Sequence, residues 1–446
     1  ASQARIRFCM PGHGGKLHPL DITELPGVDN LLQPQGALLQ AQQLAADAFG
    51  AAQLHYSVNG ASACVAALIL AAAQQGETII VSRDCHRSTA SGLVLSGAMP
   101  VYAQPAQGAL PLGADIHAIE SAIAQHPHAK AVLVTYPNYY GVCCDIAAIA
   151  NLCRQNNMAL LVDGAHGAHF AFSDQLPVAP TMADGWAVSM HKTLYAPNQS
   201  AALCLGRQSR LDAQRLFASL SMLQTTSPSW PMLLQMDLAR SKAALYGAQA
   251  YDALIGRIQA FYRKLDGIAG LVYEYALPKG YTRDATRIVL DVSALGIRGY
   301  KAMAHLHQCG IAGELADESR LVLIATIAHD DAAFHALYEA LCSLPRGNET
   351  IQSITAPVLG ETHICPRTAW QAPQQMVPLQ AAAGRVAAQA VGVYPPGIAA
   401  ILPGDVITCG QIRYLSEQQA AGGSITGLYS NAGVDMVYCM QHENTD

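Results

Sequence analysis

Two neighbouring stretches decide the fold: A-L-L-V-D-G-A-H-G-A-H-F (159–170) and G-W-A-V-S-M-H-K-T-L (185–194). Each starts as a short apolar run and breaks off into polar chemistry, the first at Asp163, the second at Ser189. Apolar runs of this length, bounded this way, read as fully buried strands. Strands buried on both faces belong to parallel sheets covered by helices. Working outward, similar runs recur at 131–136, 100–103, 78–82 and 54–58, and one more follows at 201–205. Segments with helical apolar spacing lie between them at 61–75, 88–97, 116–125 and 146–156, and one precedes them at 36–49. The alternation predicts an α/β large domain with a mainly parallel sheet. Ligands of such sheets sit beyond the carboxyl ends of the strands. The polar residues that follow each strand are therefore the ones to weigh.

Around this centre the chain divides into three. Residues 1–35, with P-G-H-G-G and L-P-G-V-D-N, read as an extended N-terminal arm. Residues 36–270 read as the large domain, ending in a mostly helical stretch over 207–265. Residues 271–446 read as a smaller α+β C-terminal part, irregular over 346–375 and with one more helix after it. The 446 residues are 51% hydrophobic and only 13% charged, enough to bury a large core, which excludes disorder. Twenty-six basic residues against 32 acidic ones, net −6, leave no basic field for nucleic acid. The longest apolar run, 61–73, is too short to cross a bilayer, and the N-terminus lacks the apolar stretch of a secretory leader. A cytoplasmic protein is expected. A core of this size needs no disulfides, so the 12 cysteines read as free thiols, with Cys64, Cys204 and Cys342 as buried small hydrophobes. The low charge of an Ala- and Gly-rich chain predicts surface hidden in an oligomer interface.

Four strand ends carry chemistry. The first strand runs into N-G-A-S (59–62), at a helix start whose free N–H groups, with the Ser62 hydroxyl, suit a phosphate; alone, this reads as ordinary capping. R-D-C-H-R-S (83–88) places His86 after the second, where a lone histidine is more often structural. Asp163 is either a helix cap or the partner of a ligand cation. His166 and His169 have a spacing that suits a metal, with too few further ligands to argue for one. Lys192 follows a strand in an apolar region, where a lysine is costly to bury without a task and where desolvation favours the free amine that forms Schiff bases. Together the four describe a single site: a phosphate cradle, a ring partner, a carboxylate and an amine. That is the set required by pyridoxal 5′-phosphate (PLP).

The chain resembles the Orn/Lys/Arg decarboxylases, PLP-dependent enzymes of fold type I, in the short form without an N-terminal wing domain. The resemblance runs through P-G-H-G-G (11–15), D-I-T-E-L-P-G-V-D-N-L (21–31), V-N-G-A-S (58–62), R-D-C-H-R-S, D-G-A-H-G-A-H-F, S-M-H-K-T-L (189–194), T-T-S-P-S (225–229), G-R-V-A-A-Q (384–389) and Y-P-P-G-I (394–398). It implies a transferase-like large domain that binds PLP and decarboxylates a basic L-amino acid (arginine, lysine, ornithine or a relative) in polyamine metabolism. By resemblance Lys192 holds the cofactor as a Schiff base, Asp163 pairs with the pyridinium nitrogen, and His86 stacks on the ring. Ser62, Ser189 and His191, with the backbone of Gly60 and Ala61, hold the phosphate, and His166 lies on the O3′ side. Thr225 reaches the phosphate of a neighbouring subunit, implying a homodimer with the site at its interface. No metal is implied.

Four positions depart from the family pattern: Ala61 and Ala63 flank Ser62 where hydroxyls are common, Gly164 replaces Glu, and Thr368 replaces Glu. Reprotonation of the substrate carbon falls to Lys192 or His191. Glu314 and Asp317, in G-E-L-A-D, are candidates for the substrate's basic head group, although each also reads as a surface or cap residue. The alternatives are another fold-type I PLP enzyme, such as an aminotransferase or lyase, a non-catalytic paralogue, or a metalloenzyme built on His166 and His169.

Overall fold

The structure is a computed structural model describing residues 6–25, 27–351, 354, 362–394 and 397–441. The first five residues of the arm, Pro26 of L-P-G-V-D-N, and Pro395 and Pro396 of Y-P-P-G-I lie outside the described residues. Seven strands form the central sheet: β1 (Gln53–Ser57), β2 (Thr78–Ser82), β3 (Met99–Ala103), β4 (Ala131–Thr135), β5 (Ala159–Asp163), β6 (Gly185–Ser189) and β7 (Ala201–Leu205). Their order is β1-β7-β6-β5-β4-β2-β3. Neighbours from β6 through β3 run parallel, while β7 runs antiparallel to both β1 and β6. β4 to β7 are buried along their whole length, which is why each reads as an unbroken apolar run.

Helix Gly60–Ala72 has no polar stripe, because it packs against the sheet as well as against helices Arg87–Ser96 and Ala213–Leu223. Gly92 permits the closest of these contacts: a Cβ there would lie 2.6 Å from Ile69 Cδ1 and 3.1 Å from Ala66 Cα. The long helix Trp230–Leu265 starts on the Ser229 hydroxyl, which accepts from Met232 N–H at 3.4 Å, with Pro231 in its first turn.

Beyond the long helix, the chain builds two further sheet systems. Arg287–Asp291, Arg320–Ile324 and Leu315–Ala316 form an antiparallel sheet associated with helices Gly299–Gln308 and Asp331–Cys342. Residues 362–441 form a unit with its own apolar core, two three-stranded sheets and helix Cys409–Ala420, which opens with a Thr408–Gln411 capping box. The expectation of one more helix in this region missed those strands. Four of them have only three or four residues, and Tyr429–Asn431 is exposed on every residue, so neither length nor alternation marks it. The region expected to be irregular also holds helix Pro366–Gln371.

A buried ion pair fixes this last unit to the end of β2. Arg83 Nη2 lies 3.2 Å from Asp405 Oδ2, with side chains 1% and 0% exposed. Arg83 also donates to the carbonyls of Ala399 and Ala400. All 12 cysteines are free. Cys64 and Cys204 are buried as expected, whereas Cys342 is exposed, because the last turn of its helix turns it outward. Among the described residues no helix is long and apolar enough to cross a membrane.

Candidate active site

The site forms where β5 and β6 end side by side. β5 stops at Asp163, whose carboxylate is 4% exposed and accepts from the Ala165 N–H at 3.1 Å. β6 stops at Ser189, the cap position of a single helical turn, Met190–Thr193, that carries His191 and Lys192. His191 Nδ1 donates to the Ser200 carbonyl at 2.9 Å, which anchors that turn.

Lys192 Nζ lies 3.0 Å from His166 Nε2 and 5.6 Å from the centre of the Tyr139 ring. The Tyr139 and His166 rings are 4.3 Å apart at 58°. Burial pushes the Lys192 ammonium below the ordinary lysine range; Arg287 adds to this, and Asp163 and Glu314 pull the other way. Burial likewise holds His166 well below the usual histidine value, with Lys192 and Arg287 reinforcing it. His191 is lowered by burial against its bond to the Ser200 carbonyl.

His86 caps helix Arg87–Ser96, its Nδ1 accepting from the Ser88 N–H at 3.2 Å, and the Ser88 hydroxyl lies 2.9 Å away. Burial lowers its pKa, and the opposing pull of Asp163 places the two side chains in one field. Its backbone bridges Ile398, and Arg87 N–H donates to the Gly397 carbonyl at 3.1 Å. Gly397 has φ +87°, and a Cβ there would come within 3.2 Å of the His86 ring. The described part of Y-P-P-G-I thus closes over His86, which gives that C-terminal motif a place in the site.

At the start of helix Gly60–Ala72, Asn59 provides no side-chain cap; its amide donates to the Leu223 carbonyl at 3.0 Å. Gly60 N–H donates to the Gln199 carbonyl at 2.9 Å, at φ +72°. No side chain caps the first turn of this helix. Uncapped first-turn amides are the physical form of an anion cradle. Ser62 is exposed there and Ser189 is buried.

The remaining candidates divide. Glu314 is exposed, beside strand Leu315–Ala316, but its charge reaches Lys192, His191 and Tyr139. Asp317 is committed elsewhere, with Oδ2 accepting from the Tyr140 hydroxyl at 2.8 Å and from Arg320 at 3.2 Å. Thr225 is exposed and its hydroxyl accepts from the Ser227 N–H at 3.1 Å. The T-T-S-P-S loop and the arm meet around a cavity of about 460 Å³ lined by Met10, Asp21, Glu24, Ser229 and Trp230 among others.

His166 and His169 face different partners. His169 Nε2 is 3.1 Å from both Asp284 Oδ2 and the Thr286 hydroxyl. Among the described residues no group of three or more His, Cys, Asp or Glu could hold a metal. Gly164 has a physical account: a Cβ there would lie 2.9 Å from the Ala187 carbonyl of β6. Thr368 is exposed on helix Pro366–Gln371, and nothing in the structure explains its replacement of Glu.

Sequence reasoning missed three residues. Tyr139 follows β4 in T-Y-P-N-Y-Y (135–140), so the strand-end rule applied there would have found it. Arg287 begins the first strand of the next sheet and Asp284 lies three residues before it; both are buried, and no local signal marks a buried Arg in such a place.

A model of the Orn/Lys/Arg decarboxylase major domain matches residues 2–272, and that family's C-terminal domain matches 351–436. The chain is 32% identical to the arginine decarboxylase of Halalkalibacterium halodurans over 98% of this chain and 95% of that protein. It is 31% identical to the arginine decarboxylase of Bacillus subtilis over 96% and 93% of the two chains. The solved structure of the lysine decarboxylase of Francisella novicida superposes with a TM-score of 0.84 at 18% identity, covering 99% of this chain and 80% of that one, which shows a common fold. The site at the ends of β5 and β6 is therefore carried by a chain that belongs to the Orn/Lys/Arg decarboxylase family.

Proposed function

We propose that this chain is a PLP-dependent decarboxylase of a basic L-amino acid, with Lys192 as the residue that holds the cofactor. The observation that carries the reading is the buried Lys192 Nζ, 3.0 Å from His166 Nε2, on the turn next to the Asp163 carboxylate. The residues fit the cofactor. Lys192 is an amine whose pKa burial lowers, which favours its nucleophilic form, Asp163 is a buried carboxylate facing the same space, and the first turn of Gly60–Ala72 carries no side-chain cap.

Lys192 would hold the aldehyde carbon, Asp163 the pyridine nitrogen and His86 the ring face. The Gly60 N–H, expected on the phosphate, is already taken by the Gln199 carbonyl, so the amide of Ala61, with Ser62, Ser189 and His191, would hold the phosphate, and His166 would flank the ring oxygen. When bound, PLP supplies an electron sink for the pair released as the carboxylate leaves. Asp163 would keep a proton on the ring nitrogen. Tyr139, His86 and the Gly397–Ile398 backbone exclude water from around Lys192 and from the carboxylate to be lost. Lys192 and His191 stand on one helical turn, so either can return the proton to the substrate carbon.

Glu314 gives the substrate's distal cation an anionic partner at the site's edge. The relatives from Halalkalibacterium halodurans and Bacillus subtilis reported above are named arginine decarboxylases, so arginine is the substrate to test first. The exposed apolar side chains of Phe8 and Leu17, on the arm, and of Met222, on the segment leading into T-T-S-P-S, support a homodimer in which Thr225 serves the partner's phosphate. Incubating the PLP-loaded protein with arginine, lysine and ornithine separately tests this reading. The expected products are carbon dioxide and the matching amine by mass spectrometry. A keto acid in their place would make the protein an aminotransferase.

A further inference from the structure

We propose that Arg287 is a positioning residue that locks His166 in its Nε2–H tautomer, so that His166 presents only a hydrogen-bond donor to the Lys192 nitrogen. The proposal rests on the assignment of Lys192 as the cofactor amine for its purpose, although not for its geometry.

Arg287 is 0% exposed, and its Nη2 lies 3.1 Å from His166 Nδ1 and 3.3 Å from the His166 carbonyl. A guanidinium has five donors and no acceptor. His166 Nδ1 must therefore be the acceptor and carry no proton. A neutral imidazole then has its proton on Nε2, the nitrogen 3.0 Å from Lys192 Nζ. For that pair to be a hydrogen bond, the Lys192 amine accepts, so it must be unprotonated. One buried cation thus orders two neighbours: it forbids imidazolium and favours neutral amine.

The support beneath is built for this. Asp284 Oδ2 is 3.8 Å from Arg287 Nη1 and 3.1 Å from His169 Nε2, while Asp284 Oδ1 accepts from the Thr286 hydroxyl at 2.7 Å. Asp284 is the counter-ion of Arg287, and Nε and Nη1 of the guanidinium have no hydrogen-bond acceptor among the described residues. Gly141 makes room: a Cβ there would lie 2.6 Å from the Cβ and Cγ of Arg287, at φ +77°. The charges that bear on Lys192 are Asp163, Glu314 and Arg287; those on His166 are Lys192, Arg287, His86 and His169. Arg287 lowers both titrations.

The test uses the cofactor-free full chain, so it reads tautomer and amine without relying on turnover. Histidine ¹⁵N spectra, with His166 assigned by the loss of its signals in His166→Gln, are expected to show an unprotonated Nδ1 and a protonated Nε2 across neutral pH. The wild-type spectrum alone overturns the proposal if Nδ1 carries the proton or His166 is doubly protonated. The second readout is the pH midpoint for modification of Lys192 by an amine-reactive reagent, followed by peptide mass spectrometry. Arg287→Met is expected to raise that midpoint and Arg287→Lys, which keeps a buried donor cation, to restore most of the lowering. A folded Arg287→Met with an unchanged tautomer and midpoint would make Arg287 a packing residue only. Failure of the PLP assignment would show separately, as a wild-type tautomer as expected in a protein that takes up no cofactor.

Discussion

The Arg83 guanidinium and the Asp405 carboxylate meet at 3.2 Å in full burial, tying the end of β2 to the last sheet unit of the chain. The same arginine holds the carbonyls of Ala399 and Ala400, next to the Gly397–Ile398 backbone that covers His86. The pair therefore couples folding of the C-terminal unit to closure of the site. Removing one partner of a buried pair leaves an uncompensated charge, which costs about 3–5 kcal/mol. Asp405→Ala is expected to lower the denaturant midpoint by that order and to weaken PLP retention. A double replacement, Arg83→Met with Asp405→Leu, is expected to recover most of the stability, as a double-mutant cycle would show.

His86 does two jobs that a single substitution can separate. Its Nδ1 caps helix Arg87–Ser96, and its ring faces the proposed cofactor space. His86→Asn keeps a capping oxygen and removes the ring, so stability is expected to fall by less than about 0.5 kcal/mol while cofactor dissociation speeds up. His86→Ala loses the cap as well and is expected to cost about 1 kcal/mol more. Equal loss of stability in both variants would contradict this division.

His55 makes stability pH-dependent away from the site. It stacks on Phe217 with ring centres 3.7 Å apart, and burial pushes its pKa from 6.5 down to about 4. A folded pKa depressed below the unfolded value means this contribution is complete above pH 6.5 and is lost as pH falls toward 4. The full shift corresponds to about 3 kcal/mol. His55→Phe is expected to flatten that acid limb in denaturation measured from pH 7 to pH 4.

Glu314 is expected to read the substrate's charge. Glu314→Gln removes one charged partner, and losing a hydrogen bond to a charged group costs about 1.5–3 kcal/mol. The KM for the preferred basic amino acid is expected to rise about ten- to a hundredfold with a smaller change in kcat. Asp317→Asn, at a carboxylate already held by Tyr140 and Arg320, is expected to lower stability and leave KM near the wild-type value.

Most of the large domain was legible because β4 to β7 are buried on both faces and end sharply in polar residues. Asp163, Ser189 and Lys192 stand at the strand ends where the sequence placed them. What was not legible depends on contacts between distant segments. Arg287 reaches His166 across 121 positions, and Arg83 reaches Asp405 across 322, and neither partner carries a local pattern that points to the other. The strands of residues 362–441 escaped because most are only three or four residues long and the longer two are partly exposed, so they lack the unbroken apolar runs that marked the central sheet.

The central claim is that Lys192 is the amine that holds PLP. Borohydride reduction of the PLP-loaded protein, followed by peptide mass mapping, tests it most directly. A pyridoxyl group is expected on the peptide containing Lys192 and none in Lys192→Ala, which also loses all turnover. A pyridoxyl group on another lysine, or decarboxylation by Lys192→Ala at the wild-type rate, would contradict it.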